Sequence, residues 1–177
     1  MTTEAHPMQV DVSSPRDFVL TRTFDAPKDL VWKCWTDADH LAAWWGPEIF
    51  TNRVDMDFRP GGRQLITMID PEGKEYPIEA TFFEIEEGSH FIGGMTTEDY
   101  DGDWKAQFAK WAGGNSDGVL KVVMRVDFED LGDSRTRVTM TQTFPTTGER
   151  DANVKMGAEP GWRESFVKLD AYLTRLQ

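Results

Sequence analysis

Asp99, Asp101 and Asp103 stand at alternate positions, the spacing at which a calcium loop presents its first three oxygen ligands. The rest of such a loop is missing. Trp104 occupies the place of the glycine that the sharp turn requires, and Lys110 that of the closing bidentate glutamate. His6, His40 and His90 lie far apart, none with a second histidine at metal-ligand spacing. All three are expected to be exposed, and a catalytic triad would have to be assembled wholly in space. Cys34, the sole cysteine, has only Lys33 as a basic neighbour and reads as a small buried hydrophobe. No GxxxxGK phosphate loop is present, so the chain has no visible means of hydrolysing ATP. Arg59-Pro60-Gly61-Gly62 could offer amides to an anion, but a hairpin turn needing positive φ accounts for its glycines better. The sequence therefore nominates no catalytic residue, no metal and no cofactor.

Residues suited to holding an apolar guest are easier to find. In Trp44-Trp45 one indole can staple a short helix to the core. Neighbours on a helix face different ways, which leaves Trp45 for the mouth of a cavity. Met56, Met68, Met95, Met124 and Met140 lie in stretches that read as strands; on one face they would form a flexible, polarizable lining. Gln142 stands between Met140 and Phe144 on an otherwise apolar face. A buried amide must find partners, whether a ligand group, a water or the backbone. Trp104, Phe108 and Trp111 recur at i, i+4 and i+7, which aligns three aromatics on one helical stripe. Asp103 can cap that helix and Gly113-Gly114 end it. About nine residues are too few to be helical alone, so the stripe must pack on something. A satellite core or a dimer contact would serve, and a lid over the cavity is the reading adopted.

The elements that must position these residues follow from periodicity. Residues 1–15 lack an apolar pattern and read as a loose arm. Residues 17–24 read as a strand. Pro27 then fits the first turn of a helix carrying Leu30, Val31, Cys34 and Trp35 on one face. Thr36 and Asp37 can cap a second short helix, which Gly46-Pro47 ends. From Val54 onward the period becomes two, and successive turns predict an antiparallel meander of about six strands. Trp162, Phe166, Leu169, Leu173 and Leu176 mark a long amphipathic C-terminal helix with Gly157 and Pro160 at its start. A sheet with one apolar face must bury it, and that helix is the element able to cover it. The fold class expected is α+β, one domain over residues 16–177.

The chain has 177 residues, 39% hydrophobic, with a formal charge of −12. Such a charge repels phosphate backbones and anionic membrane surfaces, and no basic stripe offsets it. Nucleic acid and membrane are therefore not expected as partners. The acidic groups at 84–87, 98–103 and 127–133 read as solvated turns and strand edges. No apolar run approaches the roughly 18 residues of a membrane helix, no leader pattern opens the chain, and a cytoplasmic location is expected.

Several motifs occur together in order. They are Arg22-Thr23-Phe24-Asp25-Ala26-Pro27, Val31-Trp32, Trp44-Trp45-Gly46-Pro47, Asp57-Phe58-Arg59-Pro60-Gly61-Gly62 and Gly161-Trp162. From about Phe18 to its C-terminus the chain resembles the family of homologues of the activator of heat-shock-protein-90 ATPase, within the START-like superfamily. The resemblance implies a helix-grip fold, with a sheet curled around the last helix and a cavity between them. It implies no single activity, because relatives include lipid carriers, hormone receptors and cyclases. The eukaryotic activator couples this domain to a separate N-terminal domain, which residues 1–15 cannot replace. Residues 98–118 read as an insertion where individual specificity would lie. The function expected is binding of a small apolar or amphipathic ligand. The alternatives are a cyclase- or hydrolase-like enzyme with a buried general base, and a chaperone-associated interaction domain, with a homodimer as a further possible assembly.

Overall fold

A computed structural model of the chain describes residues 6–113 and 116–177. Eight strands form one antiparallel sheet in the order β1-β2-β8-β7-β6-β5-β4-β3. In chain order they are β1 (Gln9–Asp11), β2 (Asp17–Phe24), β3 (Thr51–Met56), β4 (Arg63–Ile69), β5 (Glu75–Glu86), β6 (His90–Thr96), β7 (Lys121–Gly132) and β8 (Arg135–Thr143). The helices are α1 (Lys28–Thr36), α2 (Ala38–Trp44), α3 (Gly102–Ala112), α4 (Thr147–Lys155) and α5 (Ala158–Leu176). α5 lies across the inner face of the sheet, the helix-grip arrangement that the motifs imply. Alternation decides which face is inner: Phe18, Leu20 and Phe24 of β2, Val122, Met124, Val126 and Phe128 of β7, and Val138 and Met140 of β8 are all buried.

Local chemistry sets the boundaries. One extended residue, Asp37, separates α1 from α2; its amide closes the first helix on the Lys33 carbonyl. Its carboxylate accepts from the Asp39 and His40 amides, capping the second. Pro27 stands at the N-cap of α1 rather than inside its first turn. The β7–β8 turn is a two-residue hairpin in which Asp133 and Ser134 both have positive φ, the geometry that suits strand twist.

Several expectations change. The N-terminal arm is docked along much of its described length: Val10 pairs with Leu20 and Met8 is buried. The buried Arg150 gathers the carbonyls of Val12, Ser14 and Asp17 at 2.8–3.1 Å. α4 was not anticipated, because its sequence offers no apolar stripe; only Arg150 and Ala152 are buried in it. Its start is nevertheless written in Thr146, whose hydroxyl accepts from the Glu149 amide, a threonine followed three residues on by glutamate. Asp101, not Asp103, caps α3, accepting from the Trp104 amide at 2.8 Å. Gly113 ends that helix, and Gly114 lies outside the described residues. Leu176 is 39% exposed, so the buried stripe of α5 stops at Leu173. None of the histidines is fully exposed. His90 is 8% exposed, with Glu84 and Glu86 at 3.0 and 3.3 Å; His6 meets Asp25 at 3.0 Å and His40 meets the Tyr172 hydroxyl at 2.6 Å.

Candidate functional site

The space between sheet and helices is filled at one end and open at the other. At the filled end Trp32 and Trp35 of α1 meet Phe91 and Phe128 of the sheet edge-on or tilted, at 5.0–6.2 Å between ring centres. Trp44 packs on Trp35 at 4.8 Å and donates its indole N–H to the Cys34 carbonyl. Phe166 of α5 closes the cluster against Phe24 at 5.6 Å. Burial, reinforced by the Asp37 carboxylate, pushes the Cys34 thiol up to about 11, so it is inert as a nucleophile near neutral pH.

At the open end lies a cavity of about 400 Å³. Its floor is the sheet, through Met68, Met95, Val122 and Gln142, and its roof is the start of α5, through Ala158, Gly161, Trp162 and Ser165. One side is the loop Trp45-Gly46-Pro47, and the other is Tyr76, Tyr100 and Trp104. The loop is pinned. Asn52 donates to the Trp45 carbonyl at 2.6 Å, and the Lys168 ammonium donates to the carbonyls of Trp45 and Gly46 at 3.3 and 3.2 Å. Burial lowers the Lys168 pKa against the pull of Glu48 and Glu164. Gly46 has φ +77°, which suits glycine at this bend.

The opposite side is an aromatic file. Phe50, Tyr76, Tyr100 and Trp104 follow one another at 5.7, 5.8 and 4.8 Å, and Trp104 stacks on Phe108 at 5.3 Å. Burial, with Tyr76 alongside, pushes the Tyr100 phenol well above its ordinary range, so it stays protonated. Lys74 reaches Asp101 at 2.6 Å, tying the β4–β5 turn to the start of α3. That hydrogen bond, helped by the Trp104 amide, holds the Asp101 carboxyl low, and the same bond raises Lys74.

α3 sits tightly on α4. A Cβ at Gly148 would fall 2.1 Å from the Ala112 carbonyl oxygen, and one at Gly118 would fall 2.3 Å from that of Lys105. Phe108 is 0% exposed and serves as the anchor of this contact, while Trp111 lies under the Lys155 ammonium at 5.1 Å. Of the three aromatics on the stripe, only Trp104 lines the cavity. The i, i+4, i+7 spacing aligned them, but the stripe is wide enough to span two surfaces.

The other expected lining residues divide as well. Trp45, Met68, Met95 and Gln142 line the cavity. Met124 lines a separate chamber of about 20 Å³, which shares Trp45 and Met95 with the main one. Met140 is in the solid core at 0% exposure and Met56 packs partly buried at the sheet edge; neither reaches the cavity. Both share the inner face, but they sit under parts of it that other side chains cover.

The match to known proteins bears on this geometry. A family model described as Activator of Hsp90 ATPase homolog 1-like protein matches residues 25–174. The chain belongs to that family. This member of the Hsp90 ATPase activator-like family is similar to a solved protein from Arthrobacter aurescens, at 26% identity and TM-score 0.75, over 94% of this chain and 91% of that one. It is also similar to a Rhodobacter sphaeroides protein, at 17% identity and TM-score 0.78, over 96% and 99%. An AHSA1 protein from Silicibacter pomeroyi aligns at 20% identity and TM-score 0.68, over 91% and 99%. These likenesses are of fold. No curated protein matches.

For this member of the activator-like family, Phe50, Tyr76, Tyr100, Asn153, Met156 and Ser165 are lining residues that the sequence did not suggest. Tyr76 could have been found, since it alternates with Ile78 along β5. Asn153 and Met156 could not, because α4 carries no periodic signal. Among the described residues the lining contains no histidine, cysteine, carboxylate, lysine or arginine. Among the described residues no three metal-binding side chains converge, and no helix is long and apolar enough to cross a membrane.

Proposed function

We propose that this chain binds a small amphipathic molecule in the cavity between α5 and the sheet. The observation that carries the reading is the cavity itself: about 400 Å³, walled by aromatic and thioether side chains with a few polar groups among them. That size and composition are typical of sites that hold a drug-sized ligand. Trp45, Met68, Met95, Trp104 and Gln142 are the binding residues, and the thioethers let the floor adapt to the guest. Residues 100–112 serve as one wall, with Tyr100 and Trp104 facing the cavity and Phe108 buried behind them. The hydrolase-like alternative needs an imidazole or carboxylate at the wall to act as general base, and among the described residues none of the lining side chains supplies one. A chaperone-docking surface would turn its aromatics outward, whereas Trp44, Trp45 and Phe108 are buried.

Native mass spectrometry of the protein purified from its own host is the test. A retained molecule appears as added mass that disappears when Met95→Trp fills the floor. Binding of a co-purified molecule that survives this change would place it elsewhere and end the reading.

A further inference from the structure

Resting on that reading, the chemistry of the walls goes further than the presence of a cavity. Among the described residues the lining is uncharged. Two ammonium groups beside its walls are already committed: Lys168 to the carbonyls of Trp45 and Gly46, and Lys74 to Asp101. An anionic headgroup taken into this space would find no free cation among the described lining residues. Losing its hydration there without a counter-charge is unfavourable, and a chain of net charge −12 repels it on approach. A cationic headgroup fares no better, because no carboxylate lines the cavity among the described residues.

Among the buried polar atoms of the described lining, one is left wanting. Gln142 is 6% exposed on the cavity floor, and its enclosed amide oxygen has no hydrogen-bond partner among the described residues. Two hydroxyls of the floor and roof are engaged. The Thr97 hydroxyl accepts from the Leu120 amide and the Ser165 hydroxyl donates to the Gly161 carbonyl, each at 3.0 Å. Buried amide oxygens are rarely unpaired, and leaving one so costs free energy that a donor would recover. A neutral amide on the floor selects for a neutral donor.

We infer that the ligand is uncharged and carries a hydroxyl or amide N–H that donates to Gln142, with its apolar body among Met68, Met95 and Trp104. A fatty alcohol or a hydroxylated polycyclic skeleton has this chemistry. A fatty acid does not.

Three probes of one chain length separate the terms: dodecanol, methyl dodecyl ether and dodecanoate, titrated at neutral pH below their aggregation limits. Quenching of Trp45, Trp104 and Trp162, which line the cavity, and calorimetry read the binding. The alcohol is expected to bind roughly tenfold tighter than the ether, the worth of one hydrogen bond. It should exceed the carboxylate by more than about tenfold. In Gln142→Met the alcohol's advantage over the ether should vanish, while cooperative unfolding like that of the unaltered protein shows that the fold persists. Dodecanoate binding as tightly as dodecanol would overturn the inference, as would a Gln142→Met variant that keeps its preference for the alcohol. Equal binding of all three would remove this inference and leave the cavity reading standing. Binding of none would remove both.

Discussion

The two ends of one concave sheet face were built from different side chains, and the contrast explains why one is solid and the other hollow. Under α1 and α2 the gap is filled by interlocking rings from both sides, Trp32 and Trp35 against Phe91 and Phe128. Under the start of α5 the helix presents Ala158, Gly161 and Ser165 to the space, and only from Phe166 onward do Leu169 and Leu173 fill it. Apart from Trp162, the residues that the first two turns present to the space are small, and they leave it unfilled where the next three turns fill it. Trp162 stands at the boundary, stacked on Trp35 on one side and edge-on to Trp45 on the other. The cavity is therefore a property of how α5 is graded along its length.

That contrast can be broken most severely at the solid end. Phe166→Ala is expected to cost ~3–5 kcal/mol, as large-to-small core changes do. A denaturant midpoint equal to that of the unaltered protein would show that this end is not close-packed.

A second test uses Cys34, also at the solid end. Its thiol is raised to about 11, so the native state keeps a proton that the unfolded chain loses at its ordinary value near 9. Stability due to this group is complete below pH 9 and declines as pH rises from about 9 to about 11, by ~3 kcal/mol. Cys34→Ala should show a shallower alkaline decline in urea midpoints. Identical slopes would place the thiol in contact with solvent.

Two glycines sharpen the comparison at the hollow end. Gly148 approaches the Ala112 carbonyl so closely that Gly148→Ala must push α3 and α4 apart, at a cost of ~1–3 kcal/mol. Gly161 has open space beside it, with Pro47 the nearest atom at 3.8 Å. Gly161→Ala is therefore expected to stabilise the protein by ~0.5–1 kcal/mol through helix propensity. Thermal denaturation of the pair decides it; destabilisation by Gly161→Ala would mean that the roof has no spare room.

Much of this was legible in the sequence, for identifiable reasons. Period-two alternation placed β2, β3, β7 and β8, and the three- and four-residue spacing of Trp162, Phe166, Leu169 and Leu173 placed α5. Trp45, Met68, Met95, Trp104 and Gln142 line the cavity; the methionines were nominated for their flexible side chains, on the condition that they share a face. Met56, Met140, Phe108 and Trp111 were placed there too, because periodicity tells which face a residue takes and not what lies opposite it. The docked arm and α4 escaped notice because polar contacts, such as Arg150 with three carbonyls, fix them. Such contacts leave no apolar pattern to read.

β2 lies beside β8 in the finished sheet, with Phe18 opposite Gln142, while α5 follows every strand in the chain. The hairpins from β3 to β6 can form locally, but the β2–β8 pairing must close a loop of more than a hundred residues, the slow kind of contact. The chamber has no roof until α5 settles after that closure. A nascent chain thus has nothing to offer a ligand until α5 has been made. Bound ligand should then act on the lifetime of the folded protein, slowing unfolding while leaving the rate of folding almost untouched.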